Sequence, residues 1–239
     1  MTDKYVYRIS GTDYSGLANC KGAGFIDATY VSKGGAPGGV AFVNACKAVG
    51  MSPIANCGND GVRCPAGADP ATFYKNLADM GYQAAGGESC TVEDVTICQQ
   101  HLTFINYGGE GLAPNQDSYG NLGFPPSSAK GTISYIESYN APDIFVRDDL
   151  FNAMKSARDK GRCPEVGIMI GGWMPVRSDI YIEVAKAYIK AGYKFAGFDL
   201  WWGIGTSMWG TVQKWLPAIK EMQAVFPPID VQLKDRLHK

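Results

Sequence analysis

The fold is decided by residues 165–202, which read EVGIMIGGWMPVRSDIYIEVAKAYIKAGYKFAGFDLWW. An apolar run at 165–170 is followed by an amphipathic segment at 179–191 and then by a second apolar run at 193–200. Short apolar runs separated by a helical pattern are typical of parallel strands joined by a crossover helix. The segment therefore predicts a strand, a helix and a second strand, the repeating unit of a parallel α/β protein.

The same alternation extends over almost the whole chain. Six further strands are predicted, at 5–9, 24–31, 52–56, 82–88, 102–107 and 132–137. One helix is predicted to open at the N-cap Asp69, with Pro70 at its first helical position, and to run to Met80, where Gly81 ends it. We therefore predict the α/β class and one (β/α)8 TIM barrel, with eight parallel strands and outer helices. The 239 residues are near the roughly 250 of such a domain and show no linker or repeat, so 1–239 is predicted to be a single domain.

Composition excludes several classes of partner. The formal net charge is −1 and there is no basic run, so the chain lacks the electrostatic footprint of a nucleic-acid-binding protein. No apolar run approaches the about 18 residues of a membrane span, so no membrane partner is expected. We expect a monomer whose partner is its substrate.

Seven cysteines bear on where the protein acts. Cys57 and Cys64 share a loop rich in glycine, asparagine and proline, and Cys90 and Cys98 flank another short segment. Disulfides within these two pairs would suit an extracellular protein, whereas buried thiols are the alternative, which we favour for Cys46. Because the N-terminus lacks the apolar core of a signal peptide, an extracellular location implies a domain without its leader or another export route.

Three apolar runs end in a glycine pair followed by a residue able to do chemistry or to bind a ligand. They are Gly86-Gly87-Glu88, Gly108-Gly109-Glu110 and Gly171-Gly172-Trp173, and a fourth run ends in Asp199-Leu200-Trp201-Trp202. Active sites of (β/α)8 barrels lie at the C-terminal ends of the strands. We therefore expect these side chains to gather at one mouth of the barrel.

Histidine chemistry is excluded by position. His101 immediately precedes the fifth predicted strand, at the end of the barrel opposite the mouth, and His238 is the penultimate residue. A Ser-His-Asp triad, a Cys-His pair and a multi-histidine zinc site are therefore not expected. No phosphate-binding or dinucleotide glycine motif follows a strand. We predict neither a cofactor nor a metal, and acid–base chemistry falls to carboxylates.

Glu88 and Glu110 are the candidate catalytic pair. They end adjacent predicted strands, which lie about 4.7–4.9 Å apart. Hydrolysis of a glycosidic bond uses two carboxyl groups, one as acid and one as nucleophile or base. The side chains of Glu88 and Glu110 can place these groups either at the roughly 5–5.5 Å separation of a retaining glycosidase or at the roughly 6.5–9.5 Å separation of an inverting one. We assign Glu88 as general acid, because small apolar residues precede it, and Glu110 as nucleophile or base.

Other strand positions supply candidate substrate-binding residues. Indole faces stack on the apolar faces of sugar rings, and a carboxylate at the end of an apolar strand needs a partner, such as a substrate hydroxyl or Arg177. An acid inside a strand is either paired, functional or peripheral. The candidate substrate-binding residues are Asp27, Tyr107, Glu137, Trp173, Asp199, Trp201 and Trp202.

Together these features resemble the barrel glycoside hydrolases. The Gly-Gly-Glu exits, the aspartate–tryptophan strand end at 199–202 and the alternation over nearly the whole chain carry the resemblance. The Asn-Glu pair of many retaining barrel glycosidases is missing, as is the Asp-x-x-Asp-x-Asp-x-Glu run of chitinase-like barrels, so the catalytic pair is assigned by position.

The resemblance implies an enzyme, a glycosidase that cleaves a polysaccharide of a cell wall or matrix. Two alternatives belong to other classes. One is a carbohydrate-binding barrel without turnover. The other is a lyase or aldolase-type barrel in which Glu88, Glu110 and Asp199 bind a divalent metal.

Overall fold

A computed structural model describes residues 4–9, 14–31, 39–56, 67–87, 92–108, 132–138, 147–159, 165–201 and 208–228. The strands in this part of the chain are β1 (Lys4–Ile9), β2 (Asp27–Val31), β3 (Ser52–Asn56), β4 (Ala84–Gly87), β5 (Thr103–Gly108), β6 (Thr132–Ser138), β7 (Glu165–Gly171) and β8 (Phe195–Trp201). The helices are α1 (Leu17–Gly22), α2 (Gly39–Ala48), α3 (Pro70–Met80), α4 (Val92–Cys98), α5 (Arg147–Asp159), α6 (Ser178–Lys190) and α7 (Met208–Val225).

The strands form one parallel sheet. Each strand pairs with the next along the chain, and β8 pairs with β1, so the sheet closes on itself. The predicted parallel α/β class is confirmed. β2 begins at Asp27, three residues later than predicted, because the backbone before it turns back onto α1, where the Phe25 N–H donates to the Cys20 carbonyl at 3.1 Å.

Local signals set the ends of α3 where the sequence predicted them. The Asp69 carboxylate accepts a hydrogen bond from the Thr72 N–H at 2.9 Å, and Pro70 occupies the first turn. Gly81 ends the helix in the left-handed conformation, with φ at 98°. Over the described ranges, no helix has both the length and the apolarity that crossing a membrane requires.

Alternate strand residues belong to two different cores. One set packs with the helices, and its strand members include Ala28, Ala55, Ala85, Phe104, Ile136, Phe198 and Leu200. The other set forms a separate cluster inside the closed sheet, made of Ile54, Ala84, Ile105, Ile133, Tyr135, Met169 and Ala196. Successive residues of a strand point to opposite faces of the sheet. A residue whose neighbours pack beneath the helices therefore points into the closed sheet, and the reverse holds as well.

The inner cluster is tightly packed around Gly167 near the start of β7. A Cβ at this position would lie 2.6 Å from the Gly197 carbonyl oxygen and 2.6 Å from the ring of Tyr135. Such distances are well inside van der Waals contact, so only glycine fits. The inside of the sheet is therefore a filled core at this level.

A disulfide between Cys90 and Cys98, one of the two alternatives that the sequence left open, is contradicted. Cys98 is a buried thiol at the end of α4, outside any disulfide, and it packs in the core between helices and sheet. Cys20 and Cys46 are buried thiols as well, which confirms the prediction for Cys46. Burial raises the pKa of both to about 12. Cys57 and Cys64 lie outside the described residues.

Candidate active site

Trp173 follows the C-terminal end of β7, at the mouth of the barrel. A turn forms there, in which the Met174 N–H donates to the Gly171 carbonyl at 3.0 Å. A Cβ at Gly171 would lie 3.0, 3.1 and 3.1 Å from three neighbouring atoms of the Trp173 indole. Near-equal distances to adjacent ring atoms mean that the face of the ring, and not its edge, covers Gly171. Trp173 is 42% exposed, so part of its surface is accessible to solvent.

Two adjacent residues of α7 hold this turn. The Lys214 ammonium donates to the carbonyls of Gly172, Trp173 and Met174 at 3.3, 3.2 and 2.8 Å. The indole N–H of the fully buried Trp215 donates to the Gly172 carbonyl at 2.8 Å. Sequence reasoning missed Lys214, because no local pattern links it to a turn about 40 residues away.

Asp199 lies in β8 and is completely buried. Its neighbours Phe198 and Leu200 belong to the core beneath the helices, so Asp199 faces the interior of the closed sheet. In register it pairs with Met169 of the inner cluster, and two residues further on Trp201 pairs with Gly171. At about 3.3 Å per residue, Asp199 lies roughly 6–7 Å below the level of Gly171, which the Trp173 ring covers.

Asp27 is a second buried carboxylate inside the sheet. It is 1% exposed, and its neighbour Ala28 belongs to the core beneath the helices, so Asp27 also faces inward rather than to the periphery. Val6 is the register partner of both Asp27 and Asp199, so the two acids flank β1. Along its own strand, Asp27 is the first residue of β2, whereas Asp199 is followed by two residues of β8. After burial itself, the charge of Asp27 is the second cause that raises the pKa of Cys46.

The other candidates are placed by backbone position. Tyr107 lies near the end of β5, Glu137 near the end of β6, and Trp201 ends β8. Glu137 is the register partner of Met169, which in turn pairs with Asp199, so these positions lie side by side on three strands. The predicted residues Glu88, Glu110 and Trp202 lie outside the described residues, and their roles stay predictions.

Charged and ionisable side chains also lie at the end of the sheet opposite the mouth. His101 is exposed and precedes β5. Lys194 precedes β8 and forms an ion pair with Glu165 at the start of β7. The predicted position of His101, just before β5 at the end opposite the mouth, is confirmed, and His238 lies outside the described residues.

Arg177, one of the two kinds of partner considered for Asp199, forms a bidentate contact with Asp179. Its Nε and one terminal nitrogen donate to the two carboxylate oxygens, each at 3.0 Å. This contact is the main reason why the pKa of Asp179 is lowered. Among the described residues, no group of three His, Cys, Asp or Glu side chains is arranged to hold a metal ion.

Solved structures with similar backbones are TIM barrels of several chemistries. A GH18 chitinase from Pseudoalteromonas aurantia matches at a TM-score of 0.57 and 11% identity, over 92% of this chain and 100% of the other. Orotidine 5'-monophosphate decarboxylase from Methanocaldococcus jannaschii matches at 0.57 and 9%, over 95% and 100%. Tryptophan synthase from M. tuberculosis matches at 0.54 and 12%, over 94% and 92%.

No protein-family model and no curated protein sequence matches the chain. At such low identities, the likeness to the three structures shows the fold alone. This fold serves hydrolases, decarboxylases and synthases equally, so the chemistry has to be argued from the site.

Proposed function

We propose that the protein is a glycoside hydrolase that cleaves a polysaccharide of a cell wall or matrix at the C-terminal mouth of a complete (β/α)8 barrel. One observation carries the proposal: the half-exposed Trp173 indole lies face-on over Gly171, above the level of the buried Asp199 on the adjacent strand. A flat apolar surface beside a carboxylate suits a sugar ring, which has apolar C–H faces and a rim of hydroxyls.

The catalytic step is proposed for Glu88 and Glu110. One carboxyl donates a proton to the leaving oxygen while the other, ionised, acts as nucleophile or as base toward water. Their strands β4 and β5 are adjacent and parallel, in register from Ala84 with Thr103 to Gly87 with Asn106. The strands that precede Glu88 and Glu110 in the sequence are therefore neighbours whose C-terminal ends lie at the same end of the sheet.

Binding of the sugar is proposed for the remaining residues at the mouth. Trp173 stacks on a ring face, and Asp199 accepts hydrogen bonds from hydroxyls that reach below that level. The strand-end positions of Tyr107, Glu137 and Trp201 supply further contacts, together with Trp202. No cofactor takes part in this proposal.

The test is release of reducing ends from carboxymethylcellulose, xylan, mannan, glycol chitin and hyaluronan. The wild type is compared with Glu88→Gln and Glu110→Gln, and Glu165→Gln serves as a control because Glu165 begins β7 at the other end of the sheet. Loss of at least about 100-fold in each catalytic variant, with the control near wild type, supports the proposal. Turnover that survives both substitutions contradicts the catalytic assignment.

The same panel separates the other function classes. Affinity electrophoresis in which a polysaccharide retards the protein, without any product, favours a binding barrel. Activity that a chelator abolishes and magnesium restores favours the metal-dependent lyase or aldolase. The extracellular location and the monomeric state are parts of the proposal, and size-exclusion chromatography with light scattering tests the latter.

A further inference from the structure

The turn that carries Trp173 derives little of its order from burial of Trp173 itself. The indole is 42% exposed, whereas the next residue, Met174, is 7% exposed and anchors only one side of the turn in the core. Three successive carbonyl oxygens, those of residues 172–174, instead converge on one ammonium group. Lysine has three N–H donors, so its hydrogen-bonding capacity matches this set.

The contact spans elements that are distant in sequence but adjacent around the sheet. Lys214 lies in α7, which follows β8, whereas the turn lies between β7 and α6. The neighbouring Trp215 is fully buried and packs near Tyr181 of α6, with ring centroids 6.3 Å apart. The backbone of α7 is therefore held by the core, and Lys214 extends from a rigid support to the turn.

We propose that Lys214 is a positioning residue that holds the Trp173 indole over Gly171 in the orientation that binds the substrate. The binding role of Trp173 rests on the proposed function, whereas the positioning itself does not. When the ammonium is removed, the carbonyls of Trp173 and Met174 turn to water, while the Gly172 carbonyl keeps its hydrogen bond from Trp215, and the ring leaves Gly171. Substrate affinity then falls while the acid–base chemistry is retained.

The first measurement needs no substrate. Acrylamide quenching of tryptophan fluorescence is compared among wild type, Lys214→Met and Lys214→Arg, and Trp173→Phe identifies the contribution of Trp173. Quenching of that contribution rises in Lys214→Met by up to about twofold, since the ring is already 42% exposed. Lys214→Arg, which retains charge and donors, restores much of the wild-type value. Lys220→Met is the control, because Lys220 is exposed on the same helix.

The second measurement uses whichever polysaccharide of the panel the wild type cleaves. KM rises about threefold to tenfold in Lys214→Met, the range of one aromatic contact, while kcat stays within about twofold. A fall in kcat at unchanged KM overturns the positioning role.

The two measurements separate the two proposals. If no polysaccharide is cleaved but quenching changes as expected, the positioning by Lys214 stands and the glycosidase proposal fails. If quenching in Lys214→Met equals that of the wild type, with the melting temperature unchanged, the positioning proposal is overturned whatever the activity.

Discussion

Asp27 and Asp199 make an instructive pair because they are alike in almost every local respect. Both are aspartates inside the closed sheet, both are almost completely buried, and both pair in register with Val6. They differ in where they lie along their strands. Asp27 is the first residue of β2, whereas only Leu200 and Trp201 follow Asp199 in β8.

That difference places the two carboxylates in different surroundings. Asp27 lies toward the end of α2, where its charge contributes to the raised pKa of Cys46. Asp199 lies two residues below the level of Gly171, which the Trp173 indole covers. Burial of an acid is therefore not enough to identify a functional group in a barrel. Since active sites of this fold lie at the C-terminal ends of the strands, the acid nearer such an end is the better candidate for ligand binding.

The largest effect is expected in the reactivity of the Cys46 thiol, near Asp27. Burial, and secondly Asp27, raise the pKa of this thiol from 9.0 to about 12. At pH 8 this lowers the thiolate fraction, and hence the rate of alkylation, about 1,000-fold. Iodoacetamide labelling followed by peptide mass spectrometry measures it, with the protein in 6 M guanidinium chloride as the fully reactive reference. Rapid labelling of Cys46 in the native protein contradicts the burial and the raised pKa of this thiol.

The second effect sharpens the contrast between the two acids. Asp199→Asn should lower kcat/KM on a cleaved polysaccharide about 10- to 100-fold, the range for hydrogen bonds to a charged group. Asp27→Asn should leave kcat/KM of the folded protein within about twofold, because Asp27 begins its strand and the proposed substrate binds at the C-terminal ends of the strands. Equal losses in both variants, at equal folded fractions by circular dichroism, contradict the distinction.

The smallest effect compares two glycines of one strand. Gly167→Ala places a methyl group 2.6 Å from the Gly197 carbonyl inside the packed cluster, and such overpacking destabilises by about 1–3 kcal/mol. The atoms nearest to the new methyl group in Gly171→Ala belong to the Trp173 indole, at 3.0 Å, and that partly exposed ring moves aside with little loss of stability. Thermal denaturation should therefore show a lower melting temperature for Gly167→Ala alone. KM should rise for Gly171→Ala, since the indole is displaced.

The elements that the sequence predicted most closely are those whose signals lie within a few residues. α3 starts at the Asp69 cap and ends at Gly81 because both act on backbone groups one turn away. The helical and strand patterns of 165–200 likewise depend only on spacing along the chain. The sequence left the state of Cys90 and Cys98 open for the complementary reason, since their spacing carries no information about the core in which Cys98 packs as a free thiol.

The candidate site divides in the same way. The glycine exit at 171–173 and the aspartate of β8 were recognised from the sequence as a strand end carrying an aromatic group and an acid. The sequence could not predict that the indole lies flat on Gly171 or that Lys214 holds its turn. These contacts join residues whose distance depends on the pairing of β7 with β8 and on the packing of α7.

The sequence by itself determined the parallel α/β class, the order of the elements and the acids and indoles available, because periodicity, caps and composition are local properties of a chain. Only the tertiary structure decided which of two buried aspartates lies near the mouth, which face of Trp173 is covered, and that a lysine from the last helix holds it. Those properties arise when the sheet closes and brings distant strand ends and helices to the same place.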